Sequence, residues 1–500
     1  MEVNKNIRRF SMKYLSLILA LILSLSLFAC GSSDGGNMTG ESDAAYESSE
    51  TSSENVETEK ETEVETEIET EEETEEETES PSLPINKLAS FKKDATIDET
   101  VLYSDNNVVI TANELIYNNS SAEVKVTIEN NSSENLSFSC GTAGYGCNSI
   151  NGFVMYGGYL NCDVATGKKS KDTIKFQFDE MILNGIFEIA DIEIGFRISN
   201  DDYDTVDYFQ THIYTSIYDD YEYDPLSYQN IIQLNETQKK YKYSLEYFSD
   251  SIVFDEADVT IESIALLKNK NNEFSLFIEV MNKSDSLINF NIADIYINNV
   301  LLSSGTFDGE LISNGNRGII SMDFDSLLSE TITQLLGIDE INSVSFTVNL
   351  RDLEYNDLAE KTTVDVTMNS NNNLPNIIGK EIYNQNNIKI AFLDLVESDS
   401  SYDDNLYAYF FVENGYGEAI SLSDKYDSLS INGYMVDYYF MSGVDLFDGK
   451  YALMKLTLPD SSLEELDISM PSDITQIDFE FEIEDMEYNE IDTFSVSIDN

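Results

Sequence analysis

Ser149-Ile150-Asn151-Gly152-Phe153-Val154 recurs as Ser430-Ile431-Asn432-Gly433-Tyr434-Met435, and Tyr296-Ile297-Asn298-Asn299-Val300-Leu301 lies between the two. Asn-Gly between apolar residues signals a two-residue β-hairpin, because a type I′ turn needs positive φ at both central positions. Asn-Asn in the middle copy meets the same demand, since Asn tolerates the left-handed region. Working outward, each copy opens with a strand: Asn106-Asn107-Val108-Val109-Ile110, Ala257-Asp258-Val259-Thr260-Ile261 and Asn386-Asn387-Ile388-Lys389-Ile390. An alternating strand ending in Asn follows: Val124 to Asn130, Phe277 to Asn282 and Tyr409 to Asn414. The spacings Asn107 to Asn151 and Asn387 to Asn432 differ by one residue. A self-similarity of this length means repeated whole domains rather than a solenoid.

Each copy continues with a short helix and further strands. In copy two, Asp325 or Ser326 can cap, Leu327, Leu328, Thr331, Ile332, Leu335 and Leu336 share a face, and Gly337 stops the helix. In copy three, Ser461 to Glu464 has capping-box spacing. Copy one offers a single turn from Asp179 to Asn184. The strands Ile192 to Phe196, Val344 to Val348 and Ile477 to Phe481 alternate, so one face is buried and one is wet. Asp202-Tyr203-Asp204, Glu354-Tyr355-Asn356 and Glu487-Tyr488-Asn489 form closing turns. The pattern predicts an all-β chain of three tandem antiparallel immunoglobulin-like β-sandwich modules, each with one short helix. The modules span 93–218, 241–370 and 371–500, with an acidic, Tyr-rich linker at 219–240. Immunoglobulin hallmarks are missing: the chain has no Trp, and its cysteines do not repeat between copies.

The first 29 residues read as a leader. Lys5, Arg8, Arg9 and Lys13 precede an apolar stretch from Tyr14 to Ala29, too short and Ser-rich for a spanning helix. The stretch ends Leu27-Phe28-Ala29-Cys30-Gly31, which resembles the bacterial lipobox. The resemblance implies that Cys30 takes a diacylglycerol and becomes the mature N-terminus, with the bilayer as its partner. Two acyl chains suffice for stable anchoring, at about 0.8 kcal/mol per buried methylene. Residues 30–92 then form a Ser/Thr/Glu tether, near-alternating from Glu57 to Glu79. Such a segment cannot bury enough apolar surface to order itself, and like charges extend it.

The formal net charge is −66, most of it beyond the tether. That excludes nucleic-acid binding, which needs a basic footprint. Two acidic clusters are candidate calcium ligands: Asp201, Asp202, Asp204 and Asp207, and Asp219, Asp220, Glu222 and Asp224. Neither fits an EF-hand loop; the competing reading is a solvated acidic loop, and no other cofactor is implied. Cys140 and Cys147 flank a short loop that a disulfide could clip, but with Cys162 three pairings are open, as is the fully reduced state. His212 is the only histidine and alternates with Ile213, so an inward Ile213 leaves it exposed. No nucleophile–base constellation stands out, and the sequence reads as a non-enzyme. Tyr214, Tyr218, Tyr221, Tyr223 and Tyr228 cluster around the first linker, where packing between modules is the expected use.

Lipobox, Glu/Ser/Thr tether, strands ending in Asn and a later Asn-Gly hairpin together resemble uncharacterised cell-surface lipoproteins of clostridia and their relatives. The resemblance covers the whole chain at the level of architecture. It implies an extracytoplasmic, lipid-anchored protein on a Gram-positive surface, and it carries over no catalytic residue. The expected function is binding or adhesion to a surface protein or glycan. A spacer without a ligand is the alternative. A transporter's solute-binding subunit, normally α/β, fits less well.

Overall fold

The computed structural model describes residues 88–141, 147–369, 377–398 and 405–499. The leader, Cys30 and the tether up to residue 87 lie outside them. The described residues are mostly β, with five short α-helices and none long and apolar enough to cross a membrane.

In the first module, Thr100–Asp105, Val108–Tyr117, Ser121–Asn130 and Lys168–Gln177 form one antiparallel sheet in that order. It faces Leu160–Val164, Leu136–Cys140, Asp191–Asn200, Ser149–Ile150 and Phe153–Val154, also in sheet order. Alternation sends Ile110, Val126 and Phe176 from one sheet, and Phe138, Ile150 and Phe196 from the other, into a shared core. The second module repeats the plan with Val259–Asn269, Phe274–Asn282 and Arg317–Asp323 facing Val300–Ile312, Ile288–Ile297 and Ser343–Arg351. The third has Ile388–Glu397, Leu406–Asn414 and Tyr451–Leu458 facing Ile420–Asp424, Gln476–Asp485, Ser430–Ile431 and Tyr434–Met435.

Two asparagines per module hold this frame. The strand-ending Asn130, Asn282 and Asn414 are fully buried. Each Nδ2 donates to two carbonyls: Glu134 and Val164, Ser286 and Ile312, Glu418 and Leu446. Each Oδ1 accepts from the backbone N–H two residues on. Each backbone carbonyl accepts from Gly167, Gly315 or Gly449. The hairpin asparagines Asn151, Asn298 and Asn432 have φ near 50° and use their side chains as crossbraces. Their Oδ1 atoms accept two successive backbone N–H groups each, at Ala190 and Asp191, Asn342 and Ser343, Thr475 and Gln476. Their Nδ2 atoms donate to the carbonyls of Glu188, Glu340 and Asp473. Asn is thus retained for its side chain as well as for its tolerance of positive φ.

Several local expectations are corrected. Asn106-Asn107, Ala257-Asp258 and Asn386-Asn387 are turns with φ between 48° and 59°, not the first residues of strands. Each follows a strand (Thr100–Asp105, Phe254–Glu256, Lys380–Gln385) that sequence reading missed. The helix Glu330–Leu336 is capped by Ser329, whose Oγ accepts from Ile332 N, and not by Asp325 or Ser326. Its stop at Gly337, φ 62°, is as expected. The helix Asp460–Glu464 begins after Pro459 without a side-chain cap, so the Ser461–Glu464 box does not form. The stretch 219–240 is not a plain linker: Ser227–Gln233 and most of Asn235–Tyr241 are helical there, with Tyr228, Ile231 and Ile232 buried.

Candidate interaction surfaces

The module sheets do not stop at module boundaries. The outgoing strands of the Asn151 and Asn298 hairpins add to the first sheet of the next module. Phe153 pairs in parallel with Arg317, and Arg317 N donates to the Gly152 carbonyl at 2.7 Å. Val300 and Leu301 pair in parallel with Tyr451 and Ala452, and Tyr451 N donates to the Asn299 carbonyl at 3.4 Å. Phe153, Val154, Val300 and Leu301 are 3 % exposed or less. The hairpin that defines the repeat is therefore also its connector.

The first junction is lined with polar groups that are paired. Glu193 is buried and accepts from Ser149 of its own module and from Ser313 and Asn316 of the next. Arg317 reaches the buried Glu279 at 2.8 Å, and Gln229 and Ser263 donate to the second Glu279 oxygen. Tyr223 stacks over the Arg317 guanidinium, as interface packing requires. Tyr214 and Tyr218 instead pair with each other and stay exposed. Burial pushes Glu310 up to about 8, with Asp308 and Glu180 adding negative charge nearby. Burial likewise pushes Glu180 up to about 7, against hydrogen bonds from Tyr156 N and Gly157 N.

The acidic clusters are not gathered into a cation site. Among the described residues no three His, Cys, Asp or Glu side chains converge as metal ligands. Asp201, Asp202 and Asp204 sit on a tight exposed turn in which Asn200 Oδ1 accepts from Asp202 N and Asp204 N. Asp207 accepts from the Tyr103 hydroxyl at 2.6 Å. Asp219 and Asp220 lie on an exposed 3₁₀ turn at Tyr218–Asp220.

The cysteines are free thiols in separate surroundings, so no clip joins Cys140 to Cys147. Cys140 packs in the first core and Cys147 in the second, while Cys162 is half-buried. Burial pushes Cys140 and Cys147 up to about 12, which keeps them protonated and weakly nucleophilic. His212 is exposed and Ile213 buried, as alternation requires. Its Nδ1 lies 3.0 Å from Asp191, and that hydrogen bond raises the imidazole pKa. The ring stacks on Tyr214.

One exposed feature recurs in all three modules. Tyr203, Tyr355 and Tyr488 occupy equivalent turns with φ of 63° to 65°. Their exposures are 84 %, 72 % and 79 %. A left-handed tyrosine costs about 1 kcal/mol or more where Gly or Asn would cost little. Folding alone gives no reason to keep an aromatic there three times. Sequence reading found the turns but not their backbone, which is the signal that matters. Elsewhere, a groove of about 650 Å³ between modules two and three is lined by Leu301, Leu302, Leu327, Ile332, Leu453 and Lys455, among others.

No family model matches the chain, and no curated protein matches it. Among solved structures it is similar to a bacterial ice-binding adhesin studied for host cell surface retention, at 9 % identity, covering 76 % of this chain and 90 % of that one, with a TM-score of 0.12. It is similar to the BSP domain of a biofilm-associated protein, at 9 % identity, 83 % of each chain and a TM-score of 0.11. It is also similar to the exo-chitosanase CsxA of Amycolatopsis orientalis, at 6 % identity, 81 % of this chain and 78 % of that one, with a TM-score of 0.16. At these scores the likeness is a shared richness in strands and nothing finer.

Proposed function

We propose that this chain is a binding protein of the cell surface, anchored through a diacylglyceryl Cys30 and presenting three β-sandwich modules to a protein or glycan. The observation that carries the reading is the triplet Tyr203, Tyr355 and Tyr488. Each is a rigid, amphipathic side chain held out on a tight turn, the kind of group that supplies contact area at low entropy cost. The strongly acidic surface leaves cationic partners favoured over nucleic acid or an anionic bilayer face. The lipobox-like Leu27-Phe28-Ala29-Cys30 supports the anchor.

The test is capture of envelope components by the purified full chain, with and without calcium, against a variant carrying Tyr203→Asn, Tyr355→Asn and Tyr488→Asn. Asn suits the left-handed turn, so the variant keeps its fold while losing all three rings. Saturable capture by the parent and its loss in the variant are expected. Equal capture by both would remove the tyrosines from the reading, and no capture by either would leave a spacer role. Labelling with radioactive palmitate tests the anchor separately: incorporation is expected, and Cys30→Ser abolishes it.

A further inference from the structure

The connector used at both internal junctions is repeated once more, at the end of module three, without a strand on it. In the sheet order of the described residues, Tyr434–Met435 is the terminal strand. Tyr434 is 66 % and Met435 57 % exposed, where Phe153, Val154, Val300 and Leu301 are buried. Tyr438 and Phe440 are exposed beside it in sequence.

The matching acceptor is at the other end of the chain. The buried asparagines fix the equivalence, because Gly167, Gly315 and Gly449 each donate to Asn130, Asn282 or Asn414 at the same point. Two residues past each glycine stand Lys169, Arg317 and Tyr451. Arg317 and Tyr451 are the residues that receive a hairpin strand. Lys169 begins the same stretch of Lys168–Gln177, the terminal strand of its own sheet.

The facing surfaces change character together. At the second junction Leu336, with Ile332 and Leu335 beside it, packs on Tyr409, Phe411 and Leu453. The left-handed stops Gly337 and Asp467 align the two helices, so Ser462 and Glu465 stand where Ile332 and Leu335 stand. Counting back from Asn414 and Asn130, and on from Gly449 and Gly167, Lys125, Thr127 and Lys171 stand where Tyr409, Phe411 and Leu453 stand. Apolar against apolar at the second junction thus becomes Ser462 and Glu465 against Lys171, with Leu466 still apolar where Leu336 stands. On this face Lys125 is paired with Glu123 and Lys169 with Glu129, which leaves Lys171 as the lysine set opposite the Glu465 position.

We propose that the hairpin strand Tyr434–Met435 takes the edge strand Lys168–Gln177 of a second copy of this chain, so that copies join head to tail. Register follows from the internal junctions: Tyr434 pairs with the second copy's Lys169, and Lys169 N donates to the Gly433 carbonyl. Such a contact is heterologous and open-ended, so it yields dimers, trimers and longer series.

The experiment uses the purified full chain in non-ionic detergent, with Tyr434→Cys and Lys169→Cys on the same molecule. Residues directly opposite on neighbouring strands come close enough for a disulfide. Mild oxidation is expected to give a ladder of covalent oligomers. The parent, with its native cysteines, and each variant with one added cysteine give no ladder. A dimer from Tyr434→Cys alone would mean that two module-three ends pair with each other, and it would overturn the proposal. So would the absence of a ladder in the double variant. In a second arm without added cysteines, light scattering follows mass against concentration. Lys171→Glu should weaken association at least tenfold, and Lys171→Glu with Glu465→Lys should restore it. Equal loss in the single and double charge variants would also overturn the proposal.

Discussion

Asn282→Asp replaces an amide by a carboxylate of nearly the same shape and should nevertheless be one of the most damaging single changes in module two. Asn282 is fully buried. Its Nδ2 donates to the Ser286 and Ile312 carbonyls, both at 2.8 Å, and its Oδ1 accepts from Ser284 N at 3.0 Å. A carboxylate keeps the bond from Ser284 N but turns an acceptor on two carbonyls. Each buried polar group left without a partner costs about 1–3 kcal/mol. A carbonyl has a second lone pair, and Ser284 Oγ already reaches the Ser286 carbonyl, so the low end applies to Ser286. The sum is roughly 4 kcal/mol before repulsion. That is about 15 °C in melting temperature if a module unfolds alone, and about half as much if its junctions make it unfold with a neighbour. The chain has no Trp, so far-UV circular dichroism and tyrosine emission are the probes. The loss should shrink as pH falls, because a protonated Asp regains one donor. A variant within about 1 kcal/mol of the parent at pH 8 would refute the donor role and with it the bracing of these modules by their strand-ending asparagines.

Three further outcomes are expected. Gly433 has φ 83° with open space around it, so Gly433→Val should lower stability through backbone strain alone, by about 1–2 kcal/mol, while Gly433→Asn should cost less than half of that; thermal melts of the pair decide it. Arg317→Met leaves Glu279 buried without its cation and should cost about 3–5 kcal/mol, whereas Arg317→Met with Glu279→Met should recover most of it in denaturant titrations. Glu310 and Glu180 are raised from 4.5 to about 8 and about 7, so the folded state binds extra protons between those limits. Their contribution is fully present below about pH 4.5 and is lost as pH rises through 7 to 8; the melting temperature should fall over that window, and Glu310→Gln should flatten the slope.

What sequence showed and what it hid divide along one line. Alternation and the Asn-Gly pair expose the three modules because both are local: a period of two and a turn chemistry that few residues meet. The strand-ending Asn130, Asn282 and Asn414 were visible as landmarks, yet their role needed partners some 30 residues away, such as Val164 and Ile312. The opening strands Thr100–Asp105 and Lys380–Gln385 stayed hidden because the Asn pairs after them lean toward strand by context and turn only by backbone. Ala257-Asp258 is harder still, since Ala gives no hint of positive φ. The helices at 227–241 were hidden by acids that read as a solvated linker; the expected packing role of its tyrosines holds for Tyr228, which enters the first core with Ile232. Of the surface features, the acidic clusters stand out by composition, and among the described residues they divide between an exposed turn at 201–204, a strand position at Asp207 and a 3₁₀ turn at Asp219 and Asp220. The recurrent tyrosines were named for their position, and only φ separates them from the rest.

Lysine on an edge strand ordinarily blunts that edge against pairing, so the lysines of Lys168–Gln177 need a second consideration. Blunting makes no demand on the far end of the molecule. A capping module would likewise bury or charge its own outgoing strand. Here Tyr434 and Met435 are apolar and exposed, while the position that carries Leu335 in module two carries Glu465. The strand kept its capacity to pair, and the helix beside it carries Ser462 and Glu465 where module two carries Ile332 and Leu335. Both changes are accounted for by a partner with a free edge and lysines around it, and the first module of this chain has that surface. Salt separates this from simple edge protection. Screening at about 1 M shortens the reach of charge to about 3 Å, so a contact built on Lys171 and Glu465 should weaken, whereas a merely blunted edge should pair more readily once its lysines are screened. Sedimentation of the full chain at low and high salt therefore has opposite expected signs under the two accounts.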